Sequence, residues 1–336
     1  AMKKMTIFLL FLFVFLILFL VVFSYFFLGK APRQKNVIFG VNFSQKGAES
    51  LKLDWKETYL AILDDLKTKQ IKLITHWDLI EKQNNNYYFD DTDWQVKEAE
   101  KREVKMIFVL GIKTGRWPEC HDPEWAKNFS KKEEQQELLN YIEKIILRYK
   151  DSPSIIAWQV ENEPLFEFGE CPWQDKDFWK KEIKLVKSLD PARPIIASDS
   201  GEQSPWFSAA KNGDIIGITI YRKVWAHITD NLGFYIDFPL PPVHYWRKAQ
   251  LIKKIFNKNI ICVELQAEPW GPVPFYSLSL KEQEKTMNEN IFKNNIEYAK
   301  KTGLKEFYLW GAEWWYWLKE SQNKPEIWNE AKNLFK

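Results

Sequence analysis

Two glutamates stand where a carboxyl group can do acid–base or nucleophilic work. Glu163 lies in Ile156-Ala157-Trp158-Gln159-Val160-Glu161-Asn162-Glu163-Pro164, and Glu264 ends the run Ile260-Ile261-Cys262-Val263-Glu264. Each follows a short apolar stretch of the kind that forms a buried strand. Pro164 offers no donor to continue a sheet ladder, so the Asn-Glu-Pro turn carries Glu163 out of the strand. Cleavage of a glycosidic bond needs such a pair, one carboxyl kept protonated for the leaving oxygen and the other ionised. Carboxyl separations of about 5–5.5 Å serve retention and about 6.5–9.5 Å inversion, a distance that sequence alone does not supply. Glu161 and Glu268 are also acidic and nearby. Glu161 reads as a supporting or solvated group. Glu268 rivals Glu264, but it lies inside a loop while Glu264 directly ends the apolar run.

The elements that must position this pair begin at Asn36. Strand-like runs cover 37–41, 71–75, 105–110, 155–160, 194–198, 214–220, 259–263 and 306–310. Helical patterns fall between or after them, at 55–69, 91–102, 131–149, 176–189, 206–211, 243–256, 281–302 and 326–335. Eight strand-then-helix units imply an α/β protein with a single (β/α)8 barrel, read as one catalytic domain over residues 36–336. An open doubly wound sheet would carry a Gly-rich phosphate turn after its first strand, and Gly40-Val41-Asn42-Phe43 is not one. Strands four and seven of a barrel face each other across its mouth, which brings Glu163 and Glu264 together. The loops 111–130, 161–175, 221–242 and 265–280 are long and carry Trp117, Trp125, Trp173, Trp225 and Trp270, as a binding cleft would.

Ahead of the barrel, Thr6–Leu28 is an uncharged run of Phe, Leu, Ile and Val. It is long enough to cross a hydrocarbon core of about 30 Å. It exceeds the apolar core of a cleavable signal, and Ser24–Gly29 lacks a small-residue cleavage pattern, so residues 1–35 read as a signal anchor and short linker. Lys3 and Lys4 on one side nearly balance Lys30, Arg33 and Lys35 on the other. The side of the membrane is therefore assigned as extracytoplasmic from the chemistry rather than from charge. A net charge of +3 leaves no nucleic-acid footprint.

These motifs resemble the clan A glycoside hydrolases, closest in style to family five, the cellulases and mannanases, over essentially all of 36–336. Asn162-Glu163-Pro164 is similar to the family's acid/base motif and Glu264 to its nucleophile. Asp214–Tyr221 resembles the sixth-strand motif whose Tyr bonds the nucleophile, and Trp310 the Trp that floors the sugar subsite. Leu189–Pro194 resembles the turn before strand five. The resemblance implies a retaining mechanism, with Tyr221 and Asn162 orienting the nucleophile and the sugar. Lys72 stands where the family usually has Arg, and Gly111 and Thr219 where it often has His. Trp77–Glu81 with Tyr88-Phe89-Asp90 also resembles clan A families acting on galactosides.

The remaining candidates follow from position. Trp117, Trp270 and Trp310 are placed to stack on sugar faces, whereas Trp55, Trp94 and Trp158 read as core. His76, after strand two, either binds substrate or holds structure. Glu313, past strand eight, suits a sugar hydroxyl or the surface. His121 and His244 have no metal-ligand spacing, and no metal or cofactor is expected. Cys262 reads as a core thiol. Cys120 and Cys171, in neighbouring loops, are expected to form a disulfide in an oxidising compartment. The expected activity is hydrolysis of a β-linked poly- or oligosaccharide by an enzyme held in the membrane through residues 6–28. A glycolipid glycosidase and a non-catalytic carbohydrate-binding barrel are the alternatives.

Overall fold

The computed structural model describes residues 2–229 and 232–336, with only the backbone of residues 2 and 3. Its strands are β1 (Ile38–Ser44), β2 (Gln70–Ile74), β3 (Lys105–Leu110), β4 (Ile155–Val160), β5 (Ile195–Asp199), β6 (Ile215–Ile220), β7 (Lys223–Thr229), β8 (Leu232–Asp237), β9 (Asn259–Gln266) and β10 (Glu306–Trp310). Eight of them close a parallel barrel in the order β1-β10-β9-β6-β5-β4-β3-β2. That is the (β/α)8 architecture the alternation of strand and helix patterns implied.

Helix α1 (Met2–Phe27) precedes the barrel. Helices α2 (Gln45–Ser50) and α3 (Trp55–Asp64) join β1 to β2, and α4 (Trp77–Ile80) and α5 (Asp90–Lys101) join β2 to β3. Single helices follow β3, β4 and β5: α6 (Lys131–Tyr149), α7 (Lys176–Leu189) and α8 (Phe207–Asn212). After the β7–β8 hairpin comes α9 (Pro242–Phe256); α10 (Leu280–Gln283) and α11 (Glu289–Lys300) follow β9, and α12 (Ala312–Ser321) and α13 (Glu326–Lys332) close the chain. The one helix expected over 281–302 arrives as two. Asn288 starts a new helix there, its side chain accepting from Ile291 N.

The segment 221–242, expected as plain loop, holds the antiparallel β7–β8 hairpin. Its strands mix Lys223, His227, Thr229, Gly233 and Asp237 among the apolar residues, so they lack the continuous apolar run that marks the barrel strands. Inside the barrel, Ile107, Ala157, Ile196, Ile261, Val263 and Tyr308 form one packed cluster. Outward-facing side chains such as Phe108, Trp158 and Cys262 join the core shared with the helices.

One irregularity matters for the site. The ladder between β6 and β9 pairs Ile218 with Cys262 but Thr219 with Glu264, a register shift of one residue. The strand therefore bulges at Val263-Glu264, so two successive side chains leave toward the barrel interior. Asn42 of β1 caps the disturbed backbone, its Nδ2 lying 3.1 Å from Val263 O and 3.2 Å from the carbonyls of Tyr308 and Leu309.

Candidate active site

Glu264, expected as the residue terminating a strand, sits within β9, and the bulge aims it at the barrel axis. Its carboxylate is held on both oxygens. Lys72 Nζ lies 2.9 Å from Oε1 and the Tyr221 hydroxyl donates to Oε2 at 2.9 Å. Lys72 is fully enclosed by the barrel, with its ammonium 5.8 Å from the Trp310 ring centroid. It is thus a buried cation on β2 that supplies the countercharge, at the position where the family-five pattern has Arg.

Glu163 reaches the same space from the β4 turn. Glu161 and Glu163 both adopt left-handed backbone, φ +62° and +45°, a conformation that costs a non-glycine residue about 1–3 kcal/mol. Neighbouring strands hold the turn in place. Glu161 N donates to Leu110 O (2.8 Å), Asn162 N to Lys113 O (2.6 Å) and Glu163 N to Ser198 Oγ (2.8 Å). The Glu161 carboxylate accepts from Ile112 N and Lys113 N at 2.9 and 2.6 Å. It fills the space over Gly111, whose φ is +128° and whose absent Cβ would fall 2.4 Å from that carboxyl. Burial pushes the Glu161 carboxyl up to about 7, against a lowering hydrogen bond from Glu182 and those backbone amides. Glu161 is therefore a strut of the turn, with both carboxylate oxygens taken by the amides of Ile112 and Lys113.

The Glu163 carboxyl accepts a hydrogen bond from Thr219 Oγ1 at 3.1 Å. Thr219 is the backbone ladder partner of Glu264, and its hydroxyl also accepts from Gly201 N at 3.2 Å. Burial, and then the charge of Glu264, drive the Glu163 carboxyl well above the usual range. The Lys113 ammonium works in the opposite direction from its seat on the carbonyls of Glu163 (3.2 Å) and Phe166 (2.7 Å). A third acid, Glu119, is pushed up to about 8 by burial and by Glu264. In the sequence Lys72 and Thr219 are marked only as departures from the family-five pattern, and Glu119 is not marked at all. For Lys72, the visible physical signal is a lysine inside an apolar run.

Around this centre, Trp310 lies nearly buried on the floor with Nε1 donating to Glu268 Oε1 at 2.8 Å. Arg116 stacks over the Trp310 ring at 4.3 Å and bridges Glu268 (2.5 Å) to Glu313 (2.7 Å). Glu268 is thus committed to Arg116 and Trp310. Glu313 is fully enclosed, with Oε1 accepting from Ser44 N at 2.6 Å. That position lies beneath the floor and not on the surface, because β1 and the β3 loop close over it. Asn162 is buried beside the floor and accepts from Gln159 Nε2 at 3.1 Å. Trp270 meets Tyr221 edge-on at 5.0 Å and continues to Phe168 at 5.2 Å. Trp117, 46% exposed, stands farther out at 6.2 Å from Phe168. It lines a cavity of about 470 Å³ with Phe166, Phe168 and Trp173.

His76 has both ring nitrogens engaged, by Ser44 Oγ (2.9 Å) and Thr114 Oγ1 (3.3 Å). It packs against the His121 ring at 4.1 Å. Burial first, then nearby positive groups, keep its ring well below the usual histidine range. It ties the β1, β2 and β3 loops together. A disulfide joins Cys120 to Cys171, fastening the β3 loop to the loop that follows Glu163. Cys262 is a buried free thiol.

The profile of the family described as apiosidase-like, catalytic domain, matches residues 55–269, a stretch containing both central glutamates. The chain belongs to this family. Curated relatives of the apiosidase-like barrel include the probable mannan endo-1,4-beta-mannosidase F of Aspergillus flavus, 30% identical over 122 residues, and the mannan endo-1,4-beta-mannosidase F of Aspergillus fumigatus, 29% identical over 125. Each match takes 32% of this chain, and it spans about a quarter of the relatives' own length. Among solved structures, xylanase 10B from Thermotoga maritima superposes with a TM-score of 0.56 at 16% identity, covering 89% of this chain and 95% of its own. A beta-galactosidase from Rahnella sp. R3 reaches 0.52 at 12%, covering 83% and 52%. At such identities the structural likeness speaks for the barrel alone. Family membership makes the apiosidase-like barrel a clan A glycoside hydrolase.

Proposed function

We propose that this barrel hydrolyses a β-linked glycoside with retention, using Glu163 as acid/base and Glu264 as nucleophile. The observation that carries the reading is the contrast between the two carboxyls. Glu264 has a buried ammonium on one oxygen and a phenolic hydroxyl on the other, each at 2.9 Å. Glu163 has the neutral Thr219 hydroxyl on its carboxyl and is pushed upward by burial and by Glu264 itself. Environments that drive two neighbouring acids apart are how acid and nucleophile are assigned.

The cycle then regulates its own proton. Glu163 protonates the leaving oxygen while Glu264 attacks the anomeric carbon and becomes an ester. That ester carries no charge, so the Coulombic part of the upward push on Glu163 vanishes once the aglycone has left. Glu163, now a carboxylate, takes a proton from the water that cleaves the ester. Trp310 would floor the sugar and Trp270 with Tyr221 would wall it, an aromatic lining suited to pyranose or furanose faces. The family's description makes apiosides the first substrates to test, with mannosides and xylosides beside them. We place the barrel outside the cytoplasm, anchored by α1, a location in keeping with the Cys120–Cys171 disulfide.

The test is the configuration of the first-formed sugar, read by proton NMR on aryl apiosides, mannosides and xylosides. A product first released with the substrate's own anomeric configuration supports the reading, and an inverted one refutes it. Glu264→Ala with wild-type turnover would remove the nucleophile assignment.

A further inference from the structure

The anchor helix leaves the barrel at an unexpected end. Within α1, Lys4–Phe27 is apolar and of membrane-crossing length, and residues 4–25 are exposed. Its last turn rests on the first turns of α9. Phe26 and Phe27 lie 6.0 and 5.0 Å from the His244 ring, and the Arg247 guanidinium sits 4.6 Å over Tyr25. The start of α9 belongs to the catalytic end, because it follows the loop leaving the C-terminus of β6. Tyr245 there donates to Glu202 Oε1 at 2.6 Å, the oxygen that also accepts from Tyr221 N at 3.0 Å. Tyr221 in turn holds Glu264.

From α1 the chain must run back to the opposite end to enter β1. Arg33 pairs with Glu297 (2.6 Å) and Gln34 N donates to Lys300 O (3.0 Å) at the far end of α11. Residues 28–37 can reach about 33 Å when extended, enough to descend the barrel wall. A tether alone would not need this detour. Trp246, Tyr25 and Arg247 ring the exit of α1, the composition of a membrane–water boundary.

The β7–β8 hairpin stands at this same end. His227 of β7 lines the cavity that also holds Trp117, Phe168 and Glu161. Pairing of Val224 with Ile236 and Ala226 with Phe234 gathers the apolar side chains on one face. Toward the tip that face is bare, with Ile228, Leu232 and Phe234 at 59%, 58% and 50% exposure.

We propose that this hairpin face rests in the headgroup region of the bilayer that α1 crosses, so that the catalytic mouth opens toward the membrane and takes glycans carried on lipid. The bilayer is the occupant of the apolar face because the exit of α1, packed on the start of α9, and the hairpin both lie at the catalytic end of the barrel. The choice of substrate rests on the glycosidase reading given above; the membrane contact does not.

The full chain in phosphatidylcholine vesicles, labelled with an environment-sensitive fluorophore at Phe234→Cys, tests the contact. Ser188→Cys, exposed at the far end of α7, is the control. Blue-shifted emission and quenching by a headgroup-level lipid quencher at position 234 alone support the proposal. Equal behaviour of the two labels overturns it, as does a shift at 234 that appears in detergent as protein concentration rises, the mark of a second copy. For the substrate, Ile228→Asp/Leu232→Asp/Phe234→Asp should slow hydrolysis of a vesicle-borne glycosyl lipid by about tenfold, through lost interfacial burial. A soluble aryl glycoside should be cleaved as by wild type. Proportional loss of both rates, or of neither, overturns the substrate half. A wild-type chain inactive on every glycoside would instead refute the glycosidase reading, with the fluorescence result still standing.

Discussion

Replacing Arg116 by Met would remove the one cation set between Glu268 and Glu313. The three side chains are 5%, 8% and 0% exposed, and the contacts are 2.5 and 2.7 Å. At an effective dielectric of about 20, charge centres about 4 Å apart attract by about 4 kcal/mol. Two such attractions outweigh the repulsion between the two carboxylates, and the desolvation of all three groups offsets much of the remainder. Removing one partner of a buried pair leaves an uncompensated charge and costs about 3–5 kcal/mol; here the methionine strands two. At about 2 °C per kcal/mol for a protein of this size, the melting temperature in detergent should fall by about 6–10 °C at pH 7.5. The pH dependence gives a second readout. Burial already raises the Glu268 carboxyl, and Arg116 is the largest opposing influence; without Arg116 the folded-state value rises further above the unfolded one. A carboxyl with a raised folded value destabilises above that value and is relieved as pH falls through it. The gap between wild type and Arg116→Met should therefore narrow from pH 7.5 to pH 5, and Glu268→Gln added to the variant should recover part of the loss. A melting temperature unchanged at pH 7.5, or a gap that widens on acidification, would refute the reasoning.

Glu163→Ala should lose most activity on substrates with poor leaving groups and far less on activated aryl glycosides, as leaving-group series would register. Glu264→Ala should lose nearly all turnover on both. The acid form of Glu163 is lost as pH rises through its elevated value, so that group should set the alkaline limb of kcat/KM. Lys113→Met, which removes a lowering charge, should move the limb to higher pH. Opening the Cys120–Cys171 link, which closes a separation of 51 residues, should cost about 4 kcal/mol on the chain-entropy account, measurable by thermal unfolding of Cys120→Ser/Cys171→Ser.

The barrel and the two central glutamates were legible in the sequence because both rest on short-range signals. Apolar runs alternating with helical periodicity give the barrel, and a carboxylate breaking such a run gives each glutamate. Residues that work through distant partners left no such mark. Lys72 meets Glu264 only because the barrel closes across 192 positions of chain, and nothing near Lys72 announces that. Glu313 looked like a group for sugar or solvent because α12, an unforeseen helix, is what buries it against Ser44 and Arg116. The bulge at Val263-Glu264 was equally hidden. It is a mismatch between neighbouring strands, visible only once Ile218 and Thr219 are set beside Cys262 and Glu264. The hairpin was hidden by its composition, since Lys223, His227, Thr229 and Asp237 break up the apolar residues that run unbroken through most of the barrel strands.

The contact of Gly111 with the Glu161 carboxyl couples two positions fifty residues apart in their capacity to change. Any side chain at 111 would collide with that carboxyl and would also have to accept a φ of +128°. A histidine at this point, as in many family-five barrels, is therefore closed to this lineage for as long as Glu161 stays. Glu161 in turn cannot be shortened without freeing the amides of Ile112 and Lys113 that it now satisfies. Passage between the two designs runs through an intermediate worse than either end. Randomising position 111 alone should yield almost no working variants, whereas joint libraries at 111 and 161 open a route that single steps do not.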